Sequence, residues 1–162
     1  MQVEDPDTSP RVFRRDWWRY WGPVFIWGAV IWVLSTKLFS DSNTEKIIVP
    51  ILHWVFHDAS HRTLMRLHHL IRKGAHALEY FIFSLLLLSG IRRGRPDWRL
   101  SWGLAAVSIA ACWAGLDELH QVFVPNRGPS PRDVLIDIFG AIGGQVFEWR
   151  RHRKGQQTNL SV

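Results

Sequence analysis

Charged residues are absent from residues 20–36, 81–91 and 100–116, and residues 134–147 carry a single one, Asp137. A helix needs about 20 mostly apolar residues to cross the hydrocarbon of a bilayer. The pattern therefore predicts four spans, over residues 18–39, 71–91, 98–123 and 134–149. The second reaches that length only if residues 74–80, with His76 and Glu79, enter the bilayer, and the fourth must carry Asp137. Ionisable groups inside a span are costly and point to function.

Between the first two spans, residues 41–70 follow a helical, amphipathic pattern. Ile47, Ile48, Ile51, Leu52 and Val55 form one face, and His53, His57 and His61 recur every four residues on another. This predicts a helix lying on the outer membrane surface, broken near residues 58–60. Imidazoles at such spacing can ligate a metal, but no carboxylate or thiolate accompanies them, and a solvated face explains them as well. Ser130-Pro131-Arg132-Asp133 reads as an N-cap, a proline at the first helical position and an acid in the first turn.

Composition strengthens the membrane reading. Ten Trp and nine Phe would overload the surface of a soluble bundle. Arg11, Arg14, Arg15 and Arg19 precede the first span, Arg92, Arg93, Arg95 and Arg99 separate the second from the third, and Arg150, Arg151, Arg153 and Lys154 follow the fourth. With four spans all three blocks share one side, the cytoplasm by the positive-inside rule, although Arg62, Arg66, Arg72 and Lys73 oppose them. The fold class is therefore an all-α integral membrane bundle of four transmembrane helices, with an extra outer-surface helix and both termini cytoplasmic. Residues 1–16 read as a disordered basic lead, 17–150 as the membrane domain and 151–162 as a basic disordered tail. The net charge of +6 is accounted for by topology and anionic lipid, and no nucleic-acid module is evident. Cys112, the one cysteine, excludes a disulfide framework and reads as a packing residue. No cleavable signal is apparent, so the first span is expected to remain.

Four spans with cytoplasmic ends gather Lys73, His76, Glu79 and Tyr80 from span two and Asp117, Glu118, His120 and Gln121 from span three at the outer face. Arg127, Arg132, Asp133 and Asp137 join them from the following turn and span four. Such a cluster can be a satisfied ion-pair network that specifies the fold. His76 and His120 argue for more, because imidazoles transfer protons near neutral pH. Two histidines and several acids could hold a divalent metal, or Lys73, Arg127 and Arg132 could clamp a phosphate while His120 acts as base or nucleophile. The residues leave both open.

Three linked motifs carry a resemblance. Lys73-x-x-His76-x-x-Glu79-Tyr80, Asp117-Glu118-x-His120-Gln121-x-x-x-Pro125-x-Arg127 and Arg132-Asp133-x-x-x-Asp137-x-x-Gly140 resemble the VanZ-like family of bacterial membrane proteins, with Ser35-Thr36 similar to its small hydroxyl pair. Asn126 stands where the family usually has Gly, and Asn tolerates the same left-handed turn. The resemblance implies an inner-membrane protein of the cell envelope and, for the founding member, low-level resistance to the glycopeptide teicoplanin. It implies no known reaction. The expected function is binding or modification of an anionic lipid-linked envelope substrate, with His76, Glu79, Asp117, Glu118 and His120 as the catalytic candidates. Lys73, Tyr80, Gln121, Arg127, Arg132, Asp133 and Asp137 are then the binding candidates. The alternative is a non-catalytic protein that binds antibiotic or cell-wall precursor.

Overall fold

A computed structural model describes residues 10–36, 41–123 and 130–160, with side chains described for 17–36, 43–123 and 130–157. Among them are five α-helices and no strand: α1 (Pro10–Leu34), α2 (Asp41–Val55), α3 (His61–Arg92), α4 (Leu100–Val122) and α5 (Pro131–Leu160). The bundle is organised around α3, which packs against each of the other four.

Local sequence explains where α3 starts and stops. The Ser60 hydroxyl accepts a hydrogen bond from the Thr63 amide at 3.3 Å, satisfying an orphan donor of the first turn. At the far end Arg93 turns left-handed at φ 48° while its N–H bonds to the Ser89 carbonyl at 3.1 Å, and Gly94 follows at φ 77°. That geometry satisfies a last-turn carbonyl and redirects the chain. Helix α5 begins with Pro131, where a missing amide costs nothing, and the Asp133 amide bonds to the Ser130 carbonyl at 2.8 Å.

Small residues let the helices approach. Ala106, Ala110 and Ala114 present a fully buried stripe of α4, and Gly140 and Gly144 of α5 lie against the backbone of Ala77 and Phe81 on α3. Two polar links lock the α3–α5 crossing: the Ser84 hydroxyl donates to the Ala141 carbonyl at 2.8 Å, and the Gln145 amide donates to the Ser84 carbonyl at 2.9 Å. At one end of the bundle Arg92 of α3 pairs with Glu148 of α5 at 2.7 Å. The Trp27 indole of α1 donates to the Glu79 carbonyl at 2.9 Å. Tyr80, Phe83, Leu87 and Leu88 fill the centre.

Large apolar side chains face outward. Phe139 is 70% exposed and Leu104 58%, while α4 buries Gly103, Ala106, Ala110 and Ala114 and α5 buries Gly140, Ala141 and Gly144. Two helices, α3 and α4, are long and apolar enough to cross a membrane.

Several expectations are corrected. The expected break near residues 58–60 is present, but residues 61–70 do not belong to the surface helix, because the chain restarts at His61 as part of α3. The Ser60 cap and buried Leu64 and His68 tie this segment to the long helix. The histidine row is therefore split among α2, the intervening turn and α3. The apolar side of α2 is uncovered by protein, as a surface-lying helix requires, with Ile47 65% exposed. Helix α1 begins at Pro10 and carries Pro23 in its interior. Helix α5 continues to Leu160, so much of the segment read as a disordered tail is helical. Residues 1–9 and 37–40, including the expected end of the first span, lie outside the described residues.

Candidate functional site

A cleft of about 200 Å³ opens where α1, α2 and α3 meet above the end of α4. Its apolar wall comprises Ile31, Leu34, Ile48 and Ile71, and its polar lining comprises Ser35, Thr44, Arg72, His76, Glu79 and Asp117. Arg72, His76 and Glu79 follow one another at i, i+4 and i+7, so a single stripe of α3 delivers all three. Asp117 comes from the last turns of α4.

His76 is backed by a buried acid. Its Nδ1 lies 3.6 Å from Oδ1 of Asp137, which is only 2% exposed and sits on α5 across the tight glycine crossing. At 3.6 Å the contact is longer than a hydrogen bond, and neither atom has a hydrogen-bond partner among the described residues, so the carboxylate acts on the ring through its charge. Asp137, a binding candidate on sequence, does not line the cleft. It stands behind His76 as an orienting group.

Asp117 is 3% exposed and held in place by an amide. Gln121 donates from Nε2 to its Oδ2 at 2.8 Å and to the Ser35 hydroxyl at 3.2 Å, tying α4 to the end of α1. The other carboxylate oxygen, Oδ1, has no hydrogen-bond partner. Gln121 thus positions the carboxylate instead of facing a ligand itself.

The remaining candidates separate from the cleft. Glu118 accepts a 2.6 Å hydrogen bond from the Ser130 amide and so anchors the start of α5, a structural task. His120 stacks on Trp32 with ring centroids 4.3 Å apart and lines no part of the cleft. Tyr80 is fully buried, and its hydroxyl finds no partner. Lys73 and Arg132 are exposed, and Asp133 is half-buried in the first turn of α5. Arg127, with Pro125 and Asn126, lies outside the described residues.

Arg72 was not singled out as a site residue on sequence. The signal was present, since Arg72 shares the His76–Glu79 stripe, but Lys73 belongs to the recognised motif and drew the assignment. Among the described residues no group of three His, Cys, Asp or Glu side chains is arranged to hold a metal ion. His53 and His61 both line a second, wider cleft of about 550 Å³ between α2 and the start of α3, with Val49, Pro50, Ala59 and Leu64.

A family model described as VanZ/LLP1 matches residues 20–149. No curated protein and no solved structure matches the chain.

Proposed function

The chain belongs to the VanZ/LLP1 family, and on that footing we propose that it is a multi-pass protein of the bacterial inner membrane whose cleft takes the phosphate-bearing head group of a lipid-linked envelope substrate. Four crossings, by α1, α3, α4 and α5, with cytoplasmic ends would set the cleft on the extracytoplasmic side. The outward-facing Phe and Leu, the lengths of α3 and α4 and the three arginine blocks support this.

The observation that carries the reading is His76 in the cleft wall with buried Asp137 behind it. Arg72 is the cation that meets phosphate oxygens, by charge-assisted hydrogen bonds. His76 is the acid–base group that moves a proton at the head group. Lys73 and Arg132 add positive charge at the exposed surface, and Arg127 keeps the phosphate-binding role proposed from its motif.

Capture of a glycopeptide fits less well. Pockets for drug-sized ligands run to roughly 300–1,000 Å³, and a glycopeptide is larger than such ligands, whereas the cleft offers about 200 Å³. A link to glycopeptide resistance would then run through the lipid.

The test uses protein purified in detergent. Binding and hydrolysis of lipid-linked phosphates are measured together with metal content, for the wild type, His76→Ala and His120→Ala. Loss in His76→Ala with retention in His120→Ala is expected, because His120 is engaged with Trp32. A wild type that neither binds nor turns over any lipid-linked phosphate sinks the proposal.

A further inference from the structure

The charge inside the cleft has two signs, and a purely anionic head group answers only one of them. Arg72 and His76 offer positive charge or donors, while Glu79 and Asp117 offer carboxylates. The two kinds are spread along the cleft: Arg72 and Glu79 are seven residues apart on α3, about 10 Å of axial rise. His76 lies between them.

Among the acids that line the cleft, Asp117 has an oxygen with no hydrogen-bond partner among the described residues. It is nearly fully buried, one oxygen takes the Gln121 amide, and the other, Oδ1, has none. Burying a carboxylate oxygen without a hydrogen bond is expensive, so a donor that arrives with the ligand would be rewarded. Phosphate oxygens cannot supply one, and against Glu79 and Asp117 they would be repelled. An ammonium supplies three donors and a compensating charge.

We infer that the cleft recognises a zwitterionic head group, a phosphodiester carrying a primary amine, with the phosphate toward Arg72 and His76 and the ammonium toward Asp117 and Glu79. The inference rests on the head-group reading above and narrows it. The apolar wall of Ile31, Leu34, Ile48 and Ile71 suits the glycerol and first methylenes of such a lipid. The exposed apolar residues Leu70 and Ile71 beside it offer the chains a path from the bilayer.

Phosphatidylethanolamine and phosphatidylethanol differ only in the amine, and both can be titrated against the full-length protein in detergent, with diacylglycerol as the uncharged control. The amine-bearing lipid is expected to bind about tenfold tighter, equivalent to about 1.4 kcal/mol. Asp117→Asn and Glu79→Gln should each shrink that preference, and a preference unchanged in both variants overturns the inference. Soluble phosphoethanolamine should compete; failure to compete would assign selectivity to the chains and overturn the inference. Equal binding of the two phospholipids by the wild type, both above diacylglycerol, overturns the amine and leaves the phosphate reading intact. No preference for either over diacylglycerol removes the head-group reading itself. If Asp117→Asn does not fold, Glu79→Gln and the wild-type comparison decide.

Discussion

Gly140 offers a sharp test of how the site is built. A Cβ placed there would sit 2.9 Å from the Ala77 carbonyl carbon and 3.0 Å from its Cα, with the carbonyl oxygen closer still, whereas ordinary contact begins near 3.4 Å. All three atoms are backbone, so no side chain can swing away. Gly140→Ala must therefore push α5 from α3 by roughly 0.5–1 Å, a gap that forfeits about a quarter to a half of the dispersion attraction where it opens. Overpacking of this kind costs about 1–3 kcal/mol. The same displacement acts on the site, because His76 precedes Ala77 by one residue and Asp137 lies one turn before Gly140, and their 3.6 Å separation has little slack. The control is Gly115→Ala, where an added Cβ meets nothing within 4 Å. Alanine there should be neutral or stabilising by up to about 1 kcal/mol, since it restricts the unfolded chain more than glycine does. Thermal unfolding in detergent reads the difference, at roughly 2–4 °C per kcal/mol for a chain of this size. Head-group binding reads the site. Equal melting temperatures for the two variants would refute the crossing geometry, and intact binding in a destabilised Gly140→Ala would refute the dependence of the cleft on it.

Asp137→Asn preserves shape but removes the charge behind His76; turnover or phosphate binding should fall about tenfold or more while the fold survives, and an unchanged pH profile would count against the pairing. Arg92→Ala leaves Glu148 with Arg151 at 3.7 Å as its recorded partner. A loss of about 1–3 kcal/mol in thermal unfolding is expected, largely relieved in the double variant with Glu148→Gln. Topology is open to labelling because Cys112 is the only cysteine. In a Cys112→Ser background, a cysteine replacing Asn126 should react with an impermeant maleimide from outside intact cells and one replacing Gln156 should not, and the opposite result would invert the orientation.

The helices were legible because long apolar segments are written in composition: charge-free runs and flanking arginines mark α1, α3 and α4, and Ser130-Pro131 marks the start of α5. The limits of α3 were harder: the break near residues 58–60 was legible, but not that the chain after the Ser60 cap runs on without interruption from His61 into the long helix. Within the cluster, helical spacing placed His76 and Glu79 on one side of α3. It did not show which acids would be consumed as scaffold. Glu118 and Asp117 are neighbours in sequence, yet one holds the Ser130 amide and the other turns to the cleft, a choice made by where α5 begins. His120 has the right chemistry and the wrong neighbour, Trp32, which is eighty-eight residues away and invisible to local pattern.

The length of α3 has a mechanical consequence. Its 32 residues make a rod of about 48 Å, against a hydrocarbon thickness of about 30 Å. If α3 crosses the membrane as proposed, tilt and hydrophobic mismatch determine how much of the rod stands clear of the bilayer. Arg72, His76 and Glu79 are fixed to that rod, so a thicker or thinner membrane would raise or lower the cleft relative to the lipid phosphates. Bilayer thickness thereby becomes a variable that sets access to the site without altering one contact inside it.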